Sequence, residues 1–110
     1  MIKVFSNKGE YWKKFHKNGI EYNVYISSQG RVADKYFISR PIIDNGNGYF
    51  TFSAYPLKAT YVHRAVAMMF IEGDTSLQVN HIDGDKAHNN VENLEWVSGS
   101  SNIKHAHKNG

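Results

Sequence analysis

The stretch QVNHIDGDKAHNNVENLEWVSGSSNIKH, residues 78–105, decides the fold of this 110-residue chain. It carries three of the six histidines and five asparagines. LQVNHI has the composition of a strand, and Asp83-Gly84-Asp85-Lys86 is a turn or loop. NLEWV, residues 93–97, is a second short strand. Ser100 or Ser101 can then cap a helix that holds Asn102 in its first turn and stops at Asn109-Gly110. Strand, loop, strand and helix in that order can place Asn80 and His81 opposite Asn102, with Asn93 reaching back to the imidazole. These residues form the candidate site.

Working outward, TYVHRAVAMMF precedes this unit. Val62, Ala65, Val66, Met69 and Phe70 recur at helical spacing, and Thr60 is placed to cap the helix. The apolar stripe reads as core packing, with His63 and Arg64 on the polar face. Further upstream, YNVYI (residues 22–26), the SSQG turn and RVA read as a hairpin. FISRPII is a predicted strand in which Pro41 favours an edge, and the Asn-Gly-Asn-Gly turn at 45–48 leads into YFTFSAY. The expected class is α+β: a small antiparallel sheet with a helix, followed by a ββα finger.

Length fits one compact module, and 41% hydrophobic residues with seven Tyr, six Phe and two Trp suffice for a core. The absence of cysteine excludes disulfides and cysteine-ligated zinc. No run approaches the roughly 18 apolar residues of a membrane span, so no membrane role is expected and an intracellular setting is permitted. Charge is segregated. Residues 1–70 hold ten Lys/Arg against four Asp/Glu, and residues 71–110 hold three against six. A basic front part suits a polyanion; an acidic segment bearing His and Asn suits a hard cation brought against it.

VNHIDGDKAHNNVENLEWVSGSSNIKHA resembles the HNH nucleases of the ββα-metal fold, in particular the small homing-type endonucleases of phages and introns. The resemblance rests on the Asn-His pair, the Asp-Gly turn, the Asn-Asn step, the Asn-Leu-Glu-Trp block and the Asn-Ile helix opening. YVHRAVAMMFI is similar to the family's lead-in helix. YNVYISSQGRV with NGYFTFSAY looks like the N-terminal module that often precedes such motifs. The resemblance implies a basic, DNA-binding-like part over 1–70 and the nuclease motif over 71–110.

It further implies that His81 is the general base, that Asn93 orients it, and that Asn80 and Asn102 hold one divalent metal ion, Mg2+ or Mn2+, with His105 in reserve. Asn80 stands where many members of the family carry Asp. Two neutral amide ligands would bind a cation weakly until DNA phosphates add negative charge. The implied reaction is hydrolysis of a DNA phosphodiester to 5′-phosphate and 3′-hydroxyl ends in a bacterial or phage-infected cell, with a dimer possible.

The residue chemistry is consistent with that role. A neutral imidazole with an ordinary pKa of about 6.5 can take a proton from water at physiological pH. A hard cation can offset charge on the phosphate and the leaving oxygen. For phosphate contacts the candidates are Arg31 and Arg64 first, then Lys35, Arg40 and Lys58, with Lys13, Lys14 and Lys17. Two other readings are a DNA-binding module that keeps the fold without catalysis, and a structural zinc domain built from His81, His88, His105 and His107.

Overall fold

The computed structural model of the protein describes residues 3–54 and 56–98. β1 (Trp12–Lys17) and β2 (Ile20–Ser27) pair antiparallel about Asn18-Gly19, both at positive φ, the conformation that a tight hairpin turn requires. β3 (Val32–Asp34) adds to β2 after the SSQG turn, with Tyr25 opposite Ala33. The predicted hairpin over residues 22–33 is therefore present. β1 extends the same sheet on its other side.

A second three-stranded sheet follows, made of β4 (Ile43–Asp44), β5 (Phe50–Ala54) and β6 (Leu57–Tyr61) in that order. FISRPII is not one strand. Ile38 and Ser39 make only isolated bridges to Lys3 and Ala33, and pairing with β5 resumes only at Ile43, because Pro41 lacks the amide a ladder needs. One expected sheet is thus two.

α1 (Val62–Phe70) begins directly after β6. Thr60 belongs to β6 and donates its hydroxyl to the Lys58 carbonyl at 2.9 Å, so it is not the cap; Tyr61 holds that position without a side-chain bond. Val62, Ala65, Val66 and Met69 are buried as the periodicity requires, and His63 and Ala67 are buried with them. The stripe is wider than one face because α1 meets both sheets and the last hairpin. Phe15, Val24, Ile26, Phe52, Val62 and Val66 form the centre, with Phe15 and Phe52 edge to face at 5.9 Å. Burying each such side chain stabilises by about 1.5–3 kcal/mol.

β7 (Gln78–His81) and β8 (Leu94–Val97) make the final hairpin, pairing Asn80 with Glu95 and His81 with Leu94. Leu94 joins the core, and the Trp96 indole donates to the Ile71 carbonyl at 3.0 Å. The architecture is α+β, with antiparallel sheets around one helix. The helix expected from Ser100 onward, with Asn102 and His105, lies outside the described residues. No helix among the described residues is long and apolar enough to cross a membrane.

Candidate active site

The loop joining β7 to β8 is held by its own polar side chains. Gly84 supplies a positive φ of 77°, and Asp83 and Asp85 accept the amides of Asp85 and Ala87 at 2.8 and 2.9 Å. Asn90 accepts the amide of Glu92 and so caps the 3₁₀ turn Val91–Asn93. The His88 ring bonds Asp83 at 2.7 Å. That bond, aided by the Asp85 amide and Asn93, pulls the Asp83 carboxyl down to about 2.

Asn93 is buried at the centre of this loop. Its amide donates to Asp83 Oδ1 and to the His88 carbonyl, each at 2.9 Å, and its oxygen accepts the Asp83 amide at 3.0 Å. The carboxamide is spent on the loop. The residue that bonds the His81 imidazole is instead Asn89, whose Oδ1 accepts from Nε2 at 2.7 Å. With the proton on Nε2, the lone pair of His81 is on Nδ1. The sequence assigns this orienting role to Asn93, because it does not show what packs over the loop. Asn89 is only 5% exposed; Gly30 of the SSQG turn lies against it, and the Val91 amide donates to the Ser28 carbonyl at 2.8 Å.

His81 is 8% exposed and faces a group of rings. Its centroid lies 4.9 Å from His63 and 6.1 Å from Tyr49, while Tyr49 and Tyr61 each lie 5.3 Å from His63. Helical spacing puts His63 on the free polar face; the structure buries it in this group. Burial first, then the neighbouring His81 and Arg64, pushes its pKa down to about 4, so the ring is neutral at physiological pH. Tyr49, Tyr61, His63, Arg64, Gln78 and Val79 line an open cleft of about 320 Å³ beside it.

Asn80 precedes His81 on β7 and is half-buried. Its Nδ2 is buried without a partner. A carboxamide beside a histidine carries a hard oxygen of the kind divalent cations take. Among the described residues no group of three or more His, Cys, Asp or Glu is placed to hold a metal.

The arginines expected to face a polyanion have partners inside the fold. Arg64 donates to the carbonyls of Leu77 and Thr75 at 3.0 and 2.8 Å, and its guanidinium lies over the Trp96 ring. Arg31 grips the buried Glu10 carboxylate through two nitrogens and also bonds the Phe5 carbonyl. Arg40 bonds the Ser53 carbonyl. These guanidiniums fasten segments of the fold, a use the sequence hides because most of their partners are backbone carbonyls and the one carboxylate, Glu10, is distant in sequence from Arg31. Lys35 and Lys58 are exposed, as are Lys13 and Lys17; Lys13 also reaches the Met69 carbonyl at 2.8 Å.

Residues 60–104 match the family model described as HNH endonuclease. Two relatives in Acanthamoeba polyphaga mimivirus, both termed uncharacterized HNH endonucleases, are 36% and 40% identical to the chain over 110 and 111 residues. The matches cover 92% and 87% of this chain but only 27% and 33% of those relatives. A solved structure of the HNH homing endonuclease I-HmuI, described as showing DNA binding and cleavage, superposes with a TM-score of 0.76 at 28% identity. It covers 91% of this chain, and the chain covers 59% of it. Matched from the end of β6 through α1 and the β7–β8 hairpin by the family model and along nearly its whole length by a homing enzyme's fold, the chain belongs to the HNH endonuclease family.

Proposed function

We propose that the protein is a metal-dependent DNA endonuclease in which His81 is the general base. The observation that carries this reading is the bond from His81 Nε2 to Asn89, which leaves Nδ1 unprotonated on a ring held in place. A neutral imidazole in that state accepts a proton from the water that attacks the phosphorus, a contribution of about 10²–10⁴ in rate. The P–O3′ bond breaks as the new P–O bond forms, and the leaving 3′ oxygen takes a proton from solvent, giving 5′-phosphate and 3′-hydroxyl ends.

Asn89 sets the tautomer, and Asn93 serves catalysis by keeping the Asp83–His88 loop in shape. Asn80, with Asn102, would hold a divalent cation such as Mg2+ or Mn2+, which when bound offsets negative charge on the phosphate and the leaving oxygen. Both amide ligands are neutral, so Asn80 and Asn102 alone would hold a cation weakly, and DNA phosphates would supply the negative charge they lack. Exposed Lys35 and Lys58 on the basic part are suited to backbone phosphates. The likeness to I-HmuI, a homing enzyme described as binding and cleaving DNA, supports DNA as the substrate.

The test is cleavage of an end-labelled DNA duplex or plasmid with Mg2+, Mn2+ or EDTA, followed by analysis of the new ends. Products with 5′-phosphates that ligase can rejoin, formed only with metal, are expected. Cleavage that persists in EDTA, or that leaves 3′-phosphates, would refute the mechanism.

A further inference from the structure

His63 lies on the first turn of α1, outside the β7–β8 motif, and is 7% exposed. Its buried Nδ1 has no hydrogen-bond partner, so hydrogen bonding does not account for the ring's position. Ring contacts do. Tyr49 and Tyr61 flank it at 5.3 Å, and His81 lies 4.9 Å away with its plane tilted by 50°. Tyr49 is fixed from the other side by Lys86, whose ammonium lies 4.8 Å from the ring centroid and donates to the Asn47 carbonyl at 3.0 Å. Lys86 belongs to the same loop as Asn89. His81 therefore has Asn89 at its Nε2 edge and the His63–Tyr49 wall beside its ring.

We propose that His63 is a positioning residue for His81: its flat ring, set against Tyr49, keeps the His81 imidazole in register with Asn89 and so in the Nε2–H tautomer. This rests on the reading of His81 as the base, yet concerns a contact that exists without DNA. Two imidazoles this close would repel if both were charged. Burial keeps His63 neutral, so its ring meets His81 as an uncharged surface. A planar ring is what the role requires; an aliphatic side chain of similar volume fills the space but leaves the His81 ring free to rotate.

The test uses the full chain, wild type and with His63→Phe or His63→Leu, and reads the tautomer of His81 from the imidazole 15N shifts without DNA. Cleavage rate and DNA affinity are measured in parallel. His63→Phe is expected to keep the Nε2–H tautomer and a cleavage rate within about threefold of wild type. His63→Leu is expected to show a tautomer mixture and a rate lower by about tenfold or more at unchanged DNA affinity, as misplacement of a reacting group predicts. Should His63→Leu fail to fold, His63→Met takes its place. An aliphatic variant that keeps both tautomer and rate would overturn the proposal, and so would a folded His63→Phe protein as impaired as the aliphatic one. If the wild type cuts no DNA, the nuclease reading fails and the 15N measurement alone decides the role of His63.

Discussion

Gly30 lies against Asn89 so closely that a Cβ on the glycine would stand 2.8 Å from the Asn89 Cβ and 2.9 Å from its carbonyl oxygen. Asn89 in turn bonds His81. A turn in the N-terminal sheet thus backs the residue that orients the candidate base. Gly30 also has a φ of +82°, where a side chain costs about 1–2 kcal/mol. The Gly30→Ala protein is expected to lose at least that much stability in denaturant titration. It should also cut DNA more slowly than wild type under conditions where both are folded. Equal rates would show that displacing Asn89 does not matter to the chemistry.

Asn89 and Asn93 should separate in their effects. Asn93→Ala removes three part-buried bonds that hold the loop and leaves the Asp83 amide and the His88 carbonyl without their partner. Each such bond contributes about 0.5–1.5 kcal/mol, so the main loss is expected in thermal or denaturant stability. Asn89→Ala removes one bond, but that bond sets the proton on His81. Its main loss should be in cleavage rate, with a smaller change in unfolding midpoint. The reverse pattern would return the orienting role to Asn93.

Stability should depend on pH through His63. Its folded pKa of about 4 lies below the ordinary 6.5, so between these values the unfolded chain binds a proton that the folded chain does not. The stability is complete above about pH 6.5 and is lost as pH falls towards 4. His63→Phe should flatten this part of the curve measured by urea unfolding, whereas an unchanged slope would assign the loss to other groups. Asp83, held at about 2 first by its bond to His88, acts in a lower window. Its contribution persists down to the ordinary carboxylate value near 3.8 and is lost below it.

Arg64 and Lys58 should also part company. Arg64 ties α1 to the segment before β7 through two carbonyls, so Arg64→Ala is expected to lower stability by about 1–3 kcal/mol. Lys58 is exposed on β6, next to the strand's entry into α1. Lys58→Ala should leave the unfolding midpoint in place and reduce the salt dependence of DNA binding by about one phosphate contact. Measured as binding constant against salt concentration, an unchanged slope would remove Lys58 from the interface.

What could be read from the chain follows the reach of each signal. The SSQG hairpin, the apolar stripe of α1 and the two strands around His81 are local patterns, and each appears where its residues place it. β1 escapes such a reading although Asn18-Gly19 is a hairpin signal, because WKKFHK shows lysines where a strand usually shows apolar residues; only Phe15 is fully buried. His63 is misplaced by helical spacing, which describes one buried face, whereas α1 is covered from several sides. Asn89 is hidden because its environment comes from Gly30, far away in sequence. The partners that Arg31, Arg40 and Arg64 have inside the fold are hidden because charge composition does not show which carbonyls or carboxylates a guanidinium meets.

The most direct test of the central claim is the single-turnover cleavage rate of supercoiled plasmid by wild-type and His81→Ala proteins at saturating Mg2+ or Mn2+. His81→Ala is expected to cut more slowly by about 10²–10⁴, with DNA binding retained. Equal rates for the two proteins would show that His81 is not the base. Binding without cleavage by the wild type under every metal would instead make the chain a DNA-binding module on a nuclease fold.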